Sequence, residues 1–128
     1  MKSLAGFTIV ELLLSLVISA ILLSLALPSY QQYTLRSHRS EGLDALLNTA
    51  IQLERSRLIN RRYTALETQS SASNKYQIEI SVNDDGSEYL LSAIPQQGQS
   101  KDSCGTLTLD HLSQQGSAGD TAKCWQGR

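Results

Sequence analysis

Two hydrophobic patterns follow one another along the chain. From Phe7 to Leu27 it reads FTIVELLLSLVISAILLSLAL, 21 residues in which Glu11 is the only ionisable side chain. As a helix that run is about 31 Å long, close to the hydrocarbon thickness of a bilayer. Pro28 ends it. If the helix continues, proline removes one backbone hydrogen bond and kinks the axis; if not, Leu27 is a helix boundary. Ser29-Tyr30-Gln31-Gln32-Tyr33 is helix-compatible and amphipathic.

A second helical pattern covers Arg36 to Leu58. Leu43, Leu46, Leu47, Ala50, Ile51, Leu53 and Leu58 fall on one arc at about 100° per residue, with Asp44, Asn48, Thr49 and Gln52 on other faces. Glu54 and Arg57, three apart, are placed to pair. The helix is expected to end near Asn60. Residues 61–75 are polar and broken, and read as a surface loop.

The period then changes to two. Tyr76, Ile78, Ile80 and Val82 alternate with Gln77, Glu79 and Ser81, predicting a strand. Asn83-Asp84-Asp85-Gly86 signals a hairpin turn, since Asp-Gly tolerates positive φ. The return strand is expected at about Glu88 to Ile94, broken by Pro95-Gln96-Gln97-Gly98. A third strand is predicted near Gly105–Leu109, and a weaker fourth near Leu112–Gln115. The fold class is therefore α+β: a long N-terminal helix whose stripe covers a small antiparallel sheet of three to four strands.

Composition changes this picture little. A chain of 128 residues holds one small domain beside the apolar segment, and its net charge of −1 gives no global basic field. The charge is uneven. Residues 36–62 carry six basic and three acidic side chains, and residues 63–128 carry four and eight, giving +3 and −4. Arg55, Arg57, Arg61 and Arg62 form a local cluster. A nucleic-acid surface is one reading; favourable placement of cations at a helix C-terminus, or pairing with an acidic face of another subunit, is the preferred one.

The apolar run admits three readings: a signal peptide cut at the small-residue site Ser24-Leu25-Ala26, a plain signal anchor, or a helix preceded by a very short leader. Against the first, the positive region is thin and a carboxylate sits early in the run. Glu11 would cost about 2.5–3.5 kcal/mol at mid-bilayer, which a passive anchor has no reason to bear.

Met1-Lys2-Ser3-Leu4-Ala5-Gly6 followed by Phe7-Thr8-Ile9-Val10-Glu11 resembles the leader and junction of a type IV prepilin. The resemblance implies cutting between Gly6 and Phe7 by a dedicated prepilin peptidase, which also methylates the new amine of Phe7. It divides the chain into a leader (1–6), a transmembrane and assembly half-helix (7–27) and a head (28–128). Glu11 then occupies the family's acidic position, the fifth after the cut. An α-amine and a carboxylate are each costly in an apolar core, so pairing between neighbouring subunits would neutralise both and set axial register. An intrachain pair is the alternative. Pro28 matches the proline at which a pilin's long helix bends.

Cys104 and Cys124 are the only cysteines. An even count on a chain with an export signal argues for one disulfide, contributing about 3 kcal/mol by closing its loop. A shared metal half-site is the weaker rival, because metal-ligand spacing is absent. By the resemblance, this loop is the disulfide-bounded C-terminal region of a pilin. Pro28 through Tyr33, Arg36-Ser37, Arg39-Ser40-Glu41-Gly42, Glu54-Arg55, Cys104-Gly105-Thr106-Leu107-Thr108-Leu109 and Cys124-Trp125 further resemble the PilE-type minor pilins.

His38 and His111 lack metal spacing, and Asp84-Asp85-Gly86 reads as a turn, not a calcium loop. The sequence shows no nucleophile elbow or phosphate-cradling loop, so no catalytic residue, metal or cofactor is assigned. The resemblance implies a structural subunit, a minor pilin that helps prime a type IV pilus and joins it. Its expected partners are other pilins, the prepilin peptidase, an inner-membrane assembly platform and, before assembly, membrane lipid. The expected location is a single pass in the inner membrane with a periplasmic head, then the surface fibre. The alternatives are a major pilin, a DNA-uptake or adhesive pilin, and a type II secretion pseudopilin, which the cysteine pair disfavours.

Overall fold

Helix α1 runs from Ile9 to Asn60, 52 residues with Pro28 inside it. In this computed structural model the described residues are 6–126, so Met1–Ala5 of the expected leader lie outside them. Of the two readings at Pro28 the continuous helix holds, as the good helix formers on both sides of the proline allow. Proline has no N–H, so the carbonyl four residues earlier, that of Ser24, loses its intrahelical partner. After α1 come β1 (Gln69–Ser70), β2 (Tyr76–Val82), β3 (Tyr89–Pro95), a 3-10 turn (Gln97–Lys101), β4 (Leu107–Asp110), β5 (Gln115–Ser117) and α2 (Thr121–Trp125). The chain divides into two compact units, Met1–Tyr33 and Thr34–Arg128.

The second unit holds a five-stranded antiparallel meander in the order β1-β2-β3-β4-β5. Register follows the alternation: Ile78 opposes Ala93, and Ala93 and Leu91 oppose Leu107 and Leu109, all buried. Against this face pack Leu43, Leu46 and Leu53 of α1. Between β2 and β3, Asn83 Oδ1 accepts the Glu88 N–H at 3.0 Å and Gly86 takes φ +70°, the conformation for which a glycine is needed.

The structure corrects several sequence expectations. There are five strands, not three to four: β1 is two residues long inside the expected loop, too short to show a period. The fourth predicted strand begins later, at Gln115. Neither the 3-10 turn nor α2 was signalled by periodicity; α2 is one turn, opened by Asp120 as its cap. The helix stripe is narrower than the arc suggested. Leu47, Ile51 and Leu58 are exposed, while Thr49, assigned to another face, is fully buried. The buried side runs Arg39, Gly42, Leu43, Leu46, Thr49, Leu53, with spacing close to 3.6 and one hydroxyl satisfied by the Ala45 carbonyl at 2.8 Å.

Candidate assembly site

The N-terminal part of α1 is apolar on every side, and among the described residues none covers it. Phe7, Ile9, Val10, Leu16 and Leu25 are each at least 66 % exposed. A helix apolar all round is stable only in lipid or inside a larger assembly. By length and composition this one helix suits a membrane span. Its few hydroxyls are satisfied locally: Ser15, Ser19 and Ser24 donate to the carbonyls of Leu12, Ser15 and Ile21 at 2.7–2.8 Å. No water is needed for them.

At the start of this helix stands Glu11. Gly6 and Phe7 precede α1, Thr8 is its N-cap and Glu11 its third residue. Thr8 N–H donates to Glu11 Oε2 at 2.9 Å, and the Thr8 hydroxyl donates to the same oxygen at 3.0 Å. In return the Glu11 N–H donates to Thr8 Oγ1 at 3.2 Å. This is a reciprocal capping box, and it satisfies two of the donors that a helix start leaves free. The sequence signal for it is the Thr-x-x-Glu spacing of Thr8 and Glu11, which lies inside the apolar run.

In the head, a buried polar hub ties α1 to the loop before the cysteines. Arg39 meets Asp102, which also accepts from the Tyr76 hydroxyl at 3.2 Å and the Cys104 N–H at 3.2 Å. Gln99 reaches the Leu35 carbonyl at 2.9 Å and the Tyr76 hydroxyl at 3.1 Å. No local pattern announces this hub. Cys104 and Cys124 are joined, with Cα atoms 5.7 Å apart. Trp125 closes the region by donating from its indole to the Gly116 carbonyl at 3.0 Å.

The expected Glu54–Arg57 pair runs through a third residue. Arg57 donates to the Tyr63 hydroxyl at 2.8 Å, and that hydroxyl donates to Glu54 Oε1 at 2.8 Å. Burial, and then the Glu54 carboxylate, hold the Tyr63 hydroxyl above its usual range. Arg57 is engaged by Tyr63 yet exposed, as are Arg55, Arg61 and Arg62, so these last three are the exposed members without that contact to Tyr63. The Tyr63 N–H donates to the Gly86 carbonyl at 2.8 Å, and Arg62 packs beside Gly86, on the hairpin that carries Asp84 and Asp85. His111 sets its ring edge-on to Tyr89, centroids 6.4 Å apart. Among the described residues no cluster of three or more metal-ligating side chains occurs.

A family model described as the type IV minor pilin ComP, DNA uptake sequence receptor, matches residues 28–108, and the prokaryotic N-terminal methylation motif matches residues 1–27. This chain belongs to the type IV pilin family. Two fimbrial proteins of Pseudomonas aeruginosa are each 31 % identical over 108 residues, covering 73 % of this pilin and 70 % of their own length. A type IV pilin from Shewanella oneidensis superposes with a TM-score of 0.60 at 28 % identity, covering 68 % of this chain and 96 % of that one. The pilin is a structural subunit of a type IV pilus, with the minor pilins as its matching branch, and its family and fold are those of a fibre component, not an enzyme.

Proposed function

We propose that this minor pilin is cut between Gly6 and Phe7, methylated at Phe7, held in the inner membrane by residues 7–27 with its 28–128 head in the periplasm, and then drawn into a surface fibre whose assembly it helps to prime. The observation that carries the reading is the contiguity of the methylation motif over 1–27 and the minor-pilin match over 28–108. The bare helix supports it physically: an apolar surface on every face has to be covered by lipid first and by other pilin helices later. Its partners are then the prepilin peptidase, an assembly platform, membrane lipid and other pilins. Glu11 meets a positive group of a neighbouring subunit, and the bend at Pro28 lets the rod adapt to its neighbours.

Deleting the chain, counting fibres and measuring its copies in sheared pili by mass spectrometry tests the priming role. Loss of fibres with few copies recovered supports it; normal fibre numbers, or recovery as the bulk subunit, refute it.

A second reading has one observation behind it. The matching family model is described as a DNA uptake sequence receptor, and the exposed Arg55, Arg61 and Arg62 supply cations on the head. Opposing it, Asp84 and Asp85 lie on the adjacent hairpin. Retention of duplex DNA by the purified chain at physiological salt, lost in Arg61→Glu/Arg62→Glu, supports this reading; no retention by the wild type refutes it.

A further inference from the structure

We propose that Tyr30 and Tyr33 are interfacial anchors of the membrane-held chain, lying in the lipid headgroup layer just beyond the apolar run and fixing the depth of α1 in the bilayer. Their role rests on the membrane stage of the reading above and names the side chains that meet the headgroups.

The chain sorts its aromatic residues into two sets. Tyr63, Tyr76 and Tyr89 are buried in the head, and Trp125 packs against the same core. Tyr30 and Tyr33 are instead 67 % and 71 % exposed. They stand three residues apart on α1 and so share one side of it. Tyr30 comes three residues after Leu27, the last of the apolar run, so the pair lies about 4–9 Å beyond it along the helix. At the other end of the run Phe7 is 84 % exposed, and no aromatic residue occurs between Phe7 and Tyr30. At the helical rise that interval is about 34 Å, the hydrocarbon thickness with a few ångströms to spare.

A tyrosine has an apolar ring and a polar tip. Water leaves two such rings uncovered, and hydrocarbon leaves two hydroxyls without partners. The headgroup layer meets both needs, which is why tyrosine collects there. Arg36, exposed and the first charged side chain after Glu11, follows in the sequence, and arginine seeks the same boundary. A uniformly apolar rod has nothing along its length to stop it sliding through hydrocarbon. The paired rings supply that stop at the head end.

The experiment places the full chain in vesicles of phosphatidylethanolamine and phosphatidylglycerol, dilute enough to keep subunits apart. Leu16→Trp, Tyr30→Trp and Tyr33→Trp are each read against the wild type, whose single tryptophan, Trp125, belongs to the head. The quenchers are lipids brominated near the acyl carbonyl or near the chain end. Tryptophan at 30 and 33 is expected to be quenched mainly by the shallow bromine, and at 16 by the deep one. Because tryptophan itself favours the interface, the native rings are tested by removal. Adding Tyr30→Ala/Tyr33→Ala to Leu16→Trp should shift quenching at position 16 from deep toward shallow, whereas adding Ser29→Ala/Gln32→Ala should not. An unchanged depth at position 16 without the tyrosines overturns the proposal. So does tryptophan at 30 and 33 that neither lipid quenches while position 16 is quenched deeply; if those positions are then shielded in sheared fibres, the face belongs to a subunit contact instead. A position 16 reporter that neither lipid quenches removes the membrane reading, and the proposal with it.

Discussion

Arg39 and Asp102, 63 residues apart in sequence, meet side by side in the head: Nε donates to Oδ2 at 2.8 Å and Nη2 to Oδ1 at 2.9 Å. Their side chains are 6 % and 2 % exposed. Fork-to-fork geometry of this kind fixes orientation as well as distance. Because Asp102 also accepts from Tyr76 and from the Cys104 backbone, one carboxylate joins the helix, the second strand and the disulfide loop.

Breaking that pair from one side should be costly. Asp102→Ala strips Arg39 of its bidentate partner in a buried site and is expected to destabilise the head by about 3–5 kcal/mol. Replacing both members, as Arg39→Met/Asp102→Leu, should recover part of the loss, since a buried pair is often no better than a packed apolar one. Recovery stays incomplete because the Tyr76 hydroxyl and the Gln99 amide lose an acceptor. Chemical denaturation of the purified chain in detergent measures both; equal stability of wild type and Asp102→Ala would refute the assignment.

Gly42 is a second tight point. A Cβ there would lie 2.8 Å from two carbons of the Tyr76 ring. Alanine ordinarily stabilises a helix by about 1 kcal/mol over glycine, so the local expectation is a gain. Tyr76 cannot yield, however: it is fully buried and its hydroxyl is held by Asp102 and Gln99. Gly42→Ala should therefore cost about 1–3 kcal/mol net, as overpacking does. A rise in Tm on this substitution would show that the ring can move.

Parts of this fold could be read from residues alone. The helix end at Asn60, strand β2 and its turn at Gly86 follow from period and turn chemistry, which are local. Thr49 and Leu47 exchanged places because a stripe drawn at 100° per residue does not reveal which side of it the sheet will cover. Arg39 was legible only as one charge on a helix; its partner lies 63 residues on, past the third strand, and pairing at that distance leaves no periodic trace. Glu11 was recognisable as a charge in need of a partner, and Thr8, three residues before it, carries the part of the site that was overlooked.

Alkaline pH should unfold the head in a defined window. Burial pushes the hydroxyls of Tyr76 and Tyr89 up to about 12 from the ordinary 10.0. A raised value in the folded state means that the unfolded chain ionises first. The stability from keeping these hydroxyls neutral is complete below about pH 10, falls as pH rises, and is gone by about pH 12. In a Tyr30→Phe/Tyr33→Phe background, which removes the two exposed phenols, tyrosinate absorbance and circular dichroism followed from about pH 9 to about pH 12 should change together. Tyrosinate appearing in that background well before any loss of structure would contradict the burial of these two rings.

Arg61 occupies the position just past the end of α1 with φ +59°, and its N–H donates to the Arg57 carbonyl at 2.8 Å. This is the left-handed helix stop that glycine favours. A side chain there costs about 1–2 kcal/mol, partly offset by the extra freedom that glycine brings to the unfolded chain. Arg61→Gly should therefore raise Tm, by the equivalent of about 0.5–1 kcal/mol. The same change removes one cation from the patch beside Gly86, where Arg62 also packs. If that patch holds phosphate, DNA retention should weaken and the salt dependence should shallow by about one unit while Tm rises. Opposite movement of stability and binding in one variant separates a charge kept for recognition from one kept for the fold, because a purely structural arginine would not leave the head more stable when removed.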